Sequence, residues 1–265
     1  MTHFSTLRDD ETNIEELSVN IFKKRVKVNH SKSIDFFCPN EMTSSRVNTI
    51  FSKEPETIEW IDSFENNSVF WDIGANIGLY SLYAALANNS KVFAFEPAAS
   101  NYFCLCKNIE LNKLDKQISP LCVSFSDQTK IAPLNMISTE YGSSQNEFDY
   151  EKNDLGENLD FMFQQSSIGF TINDFIKIYN PSLPNHLKID VDGIESLIIK
   201  ESCELLSYKN LYDVSIEINE KDNDTCKIIT NIMNEFGFIL KQKKHAAIFD
   251  QTLHSSVFNF LFSRR

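Results

Sequence analysis

The stretch Ser68-Val69-Phe70-Trp71-Asp72-Ile73-Gly74-Ala75-Asn76-Ile77-Gly78 constrains the fold of this chain more than any other. Val69 to Trp71, with Ile73 beyond, is the short apolar run of a buried strand. Two glycines four apart then mark a tight turn. After Gly78 the period changes: Leu79, Leu82, Tyr83 and Leu86 fall at i, i+3, i+4 and i+7, one face of a helix. Strand, glycine turn and helix in that order leave backbone amides and a positive helix end at the carboxyl edge of a strand, where an elongated polar cofactor can sit. The turn lacks the Lys-Ser/Thr pair that closes a P-loop and the third glycine of the dinucleotide fingerprint. It offers instead the carboxylate of Asp72, suited to an ammonium group or an ordered water. A cofactor here carries positive charge more readily than a pyrophosphate. The whole chain has seven glycines and two lie in this turn. On this stretch alone, an ordinary ligand-free turn is the competing reading.

The next strand weighs against that reading. Lys91-Val92-Phe93-Ala94-Phe95-Glu96-Pro97 is apolar, ends in an acid and is stopped by a proline. Glu96 follows Asp72 at about the spacing at which an acid meets ribose hydroxyls in βαβ nucleotide sites. A carboxylate can accept from both hydroxyls of a cis-diol at once. Asp-x-Gly-Ala-Asn-x-Gly followed by Phe-Glu-Pro, with Asn101, Asn108 and Asn112 in the next helix, resembles the FkbM family of S-adenosylmethionine-dependent methyltransferases. His186-Leu187-Lys188-Ile189-Asp190-Val191-Asp192-Gly193-Ile194-Glu195 is similar to that family's Lys-Ile-Asp-Val-Glu/Asp-Gly-x-Glu block. The resemblance runs from about Arg46 to the C-terminus and is weakest between Ser138 and Ser167. It implies a Rossmann-like class I methyltransferase fold, S-adenosylmethionine as cofactor, and an antiparallel strand near the C-terminal edge of the sheet.

At 265 residues the chain is long enough for one α/β domain with a substantial core. A formal charge of −12 argues against a general nucleic-acid or anionic-membrane surface, which needs clustered Lys and Arg. The six cysteines show no Cys-x-x-Cys and no histidine at metal-ligand spacing, so buried free thiols in a reducing compartment are expected. No secretory signal and no apolar run of ~20 residues is present, which predicts a cytoplasmic protein without a membrane span. Homo-oligomerisation is left open.

Residues 1 to about 20 are polar and acidic and are expected to form a loose arm. Lys24 to Val28 alternates and Ile34 to Cys38 reads as a strand, so a small hairpin follows. Pro55 opens a helix with Ile58, Trp60, Ile61 and Phe64 at helical spacings. Arg46 and Glu54 are the polar residues to watch here, against solvated helix ends. The division expected is residues 1–65 as arm, hairpin and helix packed on the core, and residues 66–265 as the cofactor-binding domain, with an inserted acidic loop at about 128–170. Ile118 to Phe125 reads as a third strand closed by Ser124-Phe125-Ser126-Asp127. In the methyltransferase reading Asp127 accepts from the adenine amine; the alternative is a turn residue bonded to local backbone. Leu134 to Ile137 reads as a strand of an inserted hairpin. Glu140 to Asp160 then holds seven acids against one lysine, with Gly142 and Gly156 as joints. That run reads as a solvated loop, or as a lid over substrate. Ser166 to Phe170 restarts a strand and Asn173 to Ile176 caps a helix. His186 to Val191, Val214 to Ile218 and Phe238 to Leu240 are further strands, and Ile228 to Phe236 lines a helix. Val257 to Phe262 alternates. Helix and strand thus alternate, then two strands close without a helix between them: a doubly wound, mostly parallel α/β sheet.

Methyl transfer from a sulfonium to an oxygen is an in-line displacement with a donor already activated. A hydroxyl acceptor must lose its proton near the transition state, so a base is worth about 10²–10⁴-fold. Asp190, Asp192 and Glu195 lie at or just past the end of a central strand, on the edge that carries Asp72 and Glu96. One helical turn separates Asp192 from Glu195, so the two are expected to share a face. Asp190 is assigned to the cofactor's methionyl part or to orienting the acceptor, Asp192 to the base, and Glu195 to its support. Asp72, Gly74, Asn76, Gly78, Glu96, Asp127 and Asp190 make up the cofactor set. Lys188 supplies electrostatic support or pairs with a carboxylate, and Glu217 closes the far side. Like charges in one cleft should push at least one pKa upward. A rival mechanism places Mg²⁺ on Asp190, Asp192 and Glu217, and is less favoured. His186, His245 and His254 are alternative bases, against structural roles. The reading is an O-methyltransferase for a hydroxyl, foremost that of a sugar in a glycan or glycosylated metabolite. An NAD-dependent oxidoreductase and a non-catalytic docking module are the alternatives.

Overall fold

The structure, a computed structural model, describes residues 23–28, 31–150, 160–252 and 255–264. The expected N-terminal arm, Gly156 and His254 lie outside the described residues. In chain order the elements are β1 (Lys23–Lys27), β2 (Ser33–Phe37), α1 (Glu41–Asn48), α2 (Pro55–Asp62), β3 (Val69–Ile73), α3 (Leu79–Asn88), β4 (Lys91–Phe95), α4 (Ala99–Asn112) and β5 (Ile118–Leu121). They continue with β6 (Ser124–Phe125), β7 (Lys130–Met136), β8 (Asn146–Phe148), β9 (Phe163–Phe170), α5 (Ile172–Tyr179), β10 (His186–Ile189), α6 (Glu195–Lys200) and α7 (Cys203–Leu206). The last are β11 (Asp213–Asn219), α8 (Asn223–Glu235), β12 (Phe238–Lys244), a 3-10 turn (Ala247–Phe249) and β13 (Val257–Arg264).

Seven strands form the central sheet in the order β12-β13-β11-β10-β3-β4-β5. β5, β4, β3, β10 and β11 run parallel, while β13 is antiparallel to both β11 and β12. This is the doubly wound α/β sheet with an antiparallel strand near its C-terminal edge. Successive residues of a strand face opposite sides, so β3 feeds two cores. Trp71 and Ile73 join Phe95, Phe175, Leu187 and Ile198 on one face. Phe70 joins Ile58, Ile61, Leu82, Val92 and Leu105 on the other. Helices cover both faces, which is why β3 and β4 read as nearly continuous apolar runs. Chain order reverses between β3 and β10: β4 and β5 follow β3 outward on one side, β10 and β11 on the other. Ligands of open α/β sheets bind at such a switch point, outside the carboxyl ends of the strands.

Three expectations need correction. Ile118 to Phe125 is not one strand: β5 ends at Leu121 in the central sheet, while β6 pairs with β9 in a separate four-stranded sheet, β6-β9-β7-β8. Within residues 128–170 the strands are longer than the segments Leu134 to Ile137 and Ser166 to Phe170 expected, because β7 and β9 pair over seven residues, from Lys130↔Gly169 to Met136↔Phe163. The polar Gln164-Gln165-Ser166-Ser167 carries little strand propensity of its own, and the partner strand supplies the order. Of the cysteines, Cys38 and Cys104 are buried free thiols, but Cys122 and Cys203 are exposed.

The three asparagines of α4 tie this frame together. They lie seven and four residues apart, on one helical face. Asn108 accepts from the Phe37 amide at 2.7 Å and donates to the Ile77 carbonyl at 2.8 Å. Asn112 accepts from the Asp35 amide at 2.9 Å and donates to its carbonyl at 2.7 Å. The free edge of β2 is thus satisfied by side chains instead of a further strand. Asn108 is fully buried, and Asn108→Ala orphans two backbone groups at roughly 1–3 kcal/mol each. Denaturant unfolding should show a loss of about 2–4 kcal/mol with an unchanged m-value. A loss under about 0.5 kcal/mol would mean that the hairpin docks by other contacts.

Candidate active site

A cavity of about 400 Å³ opens at the carboxyl edge of the sheet, over the switch point. Its floor is the turn after β3. Gly74 has φ +87°, and a Cβ there would lie 1.8 Å from the Asp190 carbonyl oxygen, so only glycine lets the ends of β3 and β10 meet. Gly78 has φ +85°, and a Cβ would press on Leu105 and Leu82 at 2.5 and 2.8 Å. Gly74 and Asn76 line the cavity; Gly78 caps α3 behind them.

Glu96, just past β4, also lines the cavity and is 4% exposed. One carboxyl oxygen accepts from the Asn76 amide at 2.7 Å and the other from the Ala98 amide at 2.9 Å. Burial pushes its pKa up to about 7 against those two amides. The two amides and the Asn101 side chain fill only part of a carboxylate's capacity of about four acceptor sites. Asp72 is placed differently. It stands on the same edge, but as the fourth of five strand residues it points under the floor instead of onto the cavity wall. There it accepts from the Ser81 hydroxyl at 2.6 Å, and burial, opposed by Lys188, raises it to about 6.

Lys188 pairs in register with Asp72 and is 1% exposed. Its ammonium donates to Asp190, lies 3.9 Å from Glu54 and 5.2 Å from the Tyr80 ring centre. Burial would lower the lysine, but Asp190, Glu54 and Asp72 hold it above its ordinary value. Burial would likewise raise Asp190, and Lys188 reverses the sign. Asp190, Asp192 and Glu217 all line the cavity. Burial, with Asp190 and Glu54 nearby, raises Glu217 well above the carboxyl range.

Asp192 and Glu195 do not share a helical face. α6 starts only at Glu195, and Asp192 sits in the preceding turn with φ 63°. Asp192 reaches the cavity and accepts from the Gln145 amide at 2.7 Å. Glu195 lies beneath, accepting from the amides of Gly193 and Val191 at 3.2 and 3.3 Å, and burial raises it to about 8. Asp127 follows β6 in the second sheet, accepts from the Ser126 hydroxyl and is not among the lining residues. His186 is buried against Phe64, with ring centres 3.7 Å apart, and shares a hydrogen bond with Asp213. His245 does reach the cavity, stacked on Phe258. Among the described residues, no group of three or more His, Cys, Asp or Glu could hold a metal ion.

The cavity's roof comes from the run read as a solvated loop or a lid over substrate. Gly142, Ser143 and Gln145, in the acidic run, are fastened through their backbone by side chains from four places. Arg46 donates to the Gly142 carbonyl at 2.6 Å, and Asn101 accepts from the Gly142 amide at 2.8 Å. Asn101 and Asn76 both donate to the Ser143 carbonyl, at 2.9 and 2.8 Å, and Asp192 holds Gln145. Asn76 and Asn101, part of the resembling motif, were the available signal. Glu56 on α2, Phe249 in the 3-10 turn and Asn259 on β13 complete the far wall, and nothing in their spacing marked them.

Three buried acids, Asp72, Glu96 and Glu195, thus have native pKa values of about 6, 7 and 8. The native protein holds more protons than the unfolded chain from about pH 4 upward, so these groups favour folding fully at low pH and progressively less as pH rises. Asp35, held near about 2 by the Arg25 fork, acts in the opposite sense, but only below about pH 4. Calorimetry should show a melting temperature that falls between about pH 5 and pH 8, less steeply in Glu195→Gln. A flat or rising profile would contradict neutral buried acids.

Comparison with known proteins bears on the family and the fold. Hexuronic acid methyltransferase AglP of Haloferax volcanii is 25% identical over 177 residues, 64% of this chain and 64% of the relative. Methyltransferase sdnD of Sordaria araneosa is 35% identical over 85 residues, 32% of this chain and 33% of the relative. The chain therefore spans under two thirds of the curated relatives it matches. The crystal structure of methyltransferase FkbM from Methylobacillus flagellatus KT superposes with a TM-score of 0.51 at 15% identity, covering 76% of this chain and 44% of that one; it supports the fold. No helix among the described residues is long and apolar enough to cross a membrane. Residues 72–240 match the methyltransferase FkbM domain: the chain belongs to the FkbM methyltransferase family.

Proposed function

We propose that the chain transfers a methyl group from S-adenosylmethionine to a hydroxyl of a sugar, in a glycan or a glycosylated metabolite. The observation that carries the reading is the line of acceptor side chains, Glu96, Asp190, Asp192 and Glu217, along one sheet edge over the switch point. Such a set suits a ligand bearing an ammonium, a sulfonium and a diol. The cavity volume falls within the range of small-molecule sites. Bound there, the cofactor supplies a methyl group already activated on sulfur.

The chain's own residues divide the remaining work. Glu96 accepts from the ribose hydroxyls with its free lone pairs, and the Gly74–Gly78 turn gives the cofactor its backbone floor. Asp190, kept ionised by Lys188, holds the methionyl ammonium or orients the acceptor. Asp72 acts from below, through Ser81 and Lys188. Asp192 takes the acceptor's proton, and Glu195 fixes the turn that presents it. The latched roof keeps water from the line of transfer. The sugar acceptor is supported by the hexuronic acid named for the relative AglP.

S-adenosylhomocysteine at about 100 times its Kd should stabilise the protein by about 2.7 kcal/mol, a rise of roughly 5–10 °C in Tm. Glu96→Gln should weaken that binding by about tenfold, or 1.4 kcal/mol. Asp192→Asn should bind it within about threefold of wild type yet lose about 10²–10⁴-fold in labelled methyl transfer to methyl β-D-glucuronide. Cofactor affinity lost with Asp192 would make that residue scaffold instead of base.

A further inference from the structure

Two cations line the cavity without a part in the division of work above. Arg46, on α1, and Lys53, in the connection to α2, are both half-buried, so a ligand in the cavity can reach them. Arg46 uses Nε to hold the Gly142 carbonyl at 2.6 Å. That bond leaves the Nη1–Nη2 edge of the planar guanidinium, whose paired donors match the two oxygens of a carboxylate. Among the described residues, no acid of the protein takes that edge: Asp190 and Glu54 pair with Lys188, and Glu56 with Asn259. The Lys53 ammonium stands 3.8 Å from Glu54, too far for a hydrogen bond. Elsewhere the cavity is poorly suited to an anion. The amides of the glycine turn are already committed: Gly74 and Ala75 to the Phe95 carbonyl, Asn76 to Glu96, Ile77 to the Asn76 side chain, and Gly78 to the Ala75 carbonyl. Lys188 is 1% exposed and held by its own acids. Burial opposes ionisation of Asp190, Lys188 overcomes it, and Lys53 and Arg46 add to that effect. Both cations are therefore within electrostatic reach of the reactive edge.

From this we infer that Arg46 and Lys53 form a carboxylate-binding site on the α1–α2 wall of the cavity. The inference rests on the methyltransferase reading and adds the group that recognises negative charge. That reading supplies two carboxylates, the amino-acid carboxylate of the donor and that of a uronate acceptor. The chemistry of the site is the same for both. The Nη1–Nη2 fork takes the two oxygens, and Lys53 adds a second positive charge as a point donor. A ligand with charge of both signs is then oriented by the cavity, its carboxylate toward α1 and its ammonium or hydroxyls toward Asp190. The fork is aimed by the roof, because the bond from Nε to Gly142 fixes the plane of the guanidinium.

Titration calorimetry with two pairs of ligands tests the site. The first pair is S-adenosylhomocysteine and its decarboxylated analogue, S-adenosyl-3-thiopropylamine. The second, offered to protein saturated with S-adenosylhomocysteine, is methyl β-D-glucuronide and methyl β-D-glucoside. Wild type should favour the carboxylate member of at least one pair by about tenfold or more. Arg46→Gln carries an amide N–H at the same number of bonds from Cα as Nε, so it keeps a donor for Gly142 and loses the fork. Lys53→Met removes the charge and keeps an unbranched stem. Each variant should cut the preference to about threefold or less, and should bind the carboxylate-free member within about twofold of wild type. A preference lost in the first pair assigns the site to the donor, and one lost in the second assigns it to the acceptor; either supports the inference. No preference by wild type in either pair, or preferences that both variants keep, would overturn it. An equal loss for both members of a pair would overturn it too, since Arg46 would then act through the roof alone. Failure of wild type to bind either S-adenosyl compound would overturn the methyltransferase reading, and this inference with it.

Discussion

A single buried ammonium holds the reactive edge of this protein in place. Lys188 stands on β10, in the middle of the sheet, 1% exposed, with Asp190, Glu54 and Asp72 around it. Taking one charge out of water costs several kcal/mol, and only good pairing offsets that cost. The lysine and its acids are therefore obligatory to each other. Asp72 is fixed from the side by Ser81, Glu54 sits at the start of α2, and Asp190 closes β10. One cation thus joins β3, β10 and the first turn of α2 at the place where the direction of the sheet reverses. Replacing the group with packed apolar side chains could give an equally stable fold, but not an edge with an ionised acid facing an open cavity.

Backbone geometry does the rest of the positioning. The ends of β3 and β10 approach so closely at Gly74 that a methyl group would overlap the Asp190 carbonyl. The same approach sets Asp190 against the glycine turn that Glu96 binds through the Asn76 amide. Strand register then spaces the line of acceptors, because β10, β11 and β13 are locked residue by residue. The antiparallel β13 matters here for a simple reason. Its chain direction brings the beginning of the strand, not its end, to the functional edge, so a residue two positions into it, Asn259, faces the same space as the ends of the parallel strands.

What could be read from the sequence was local. The β3-turn-α3 unit, the Phe-Glu-Pro strand end and the Lys-Ile-Asp-Val-Asp-Gly block each carry their signal within about ten residues, as a change of period beside glycine or acid. Glu96, Asp190 and Asp192 reach the cavity as that signal implied. Asp72 shows the limit of the method, since a residue inside a strand obeys the pleat and one residue decides whether it faces a ligand or a helix. Asp127 is not among the lining residues, because the break after Leu121 sends the chain into another sheet. Asn259 meets Glu56 only through a pairing across some 200 positions, and no window of sequence holds both partners. The resemblance carried Asn76 and Asn101 without their reason. Both turn out to be clamps on the roof backbone.

The acids around the cavity differ in what their surroundings do to them, and that difference assigns roles better than their number does. Asp72, Glu96, Glu195 and Glu217 are all raised, with burial as the largest cause in each. Asp190 is lowered because a buried lysine touches it. Neighbouring acids pushed in opposite directions are the arrangement by which one site holds both charged and neutral carboxyls near neutral pH. A cationic ligand entering this cavity meets the negative charge of Asp190, which its buried lysine stabilises. The raised acids are a reserve that it can ionise in place, since a nearby positive charge lowers their pKa. Burial thus tempers the repulsion within the acidic cluster, and a nearby cation favours the ionised form of each raised acid.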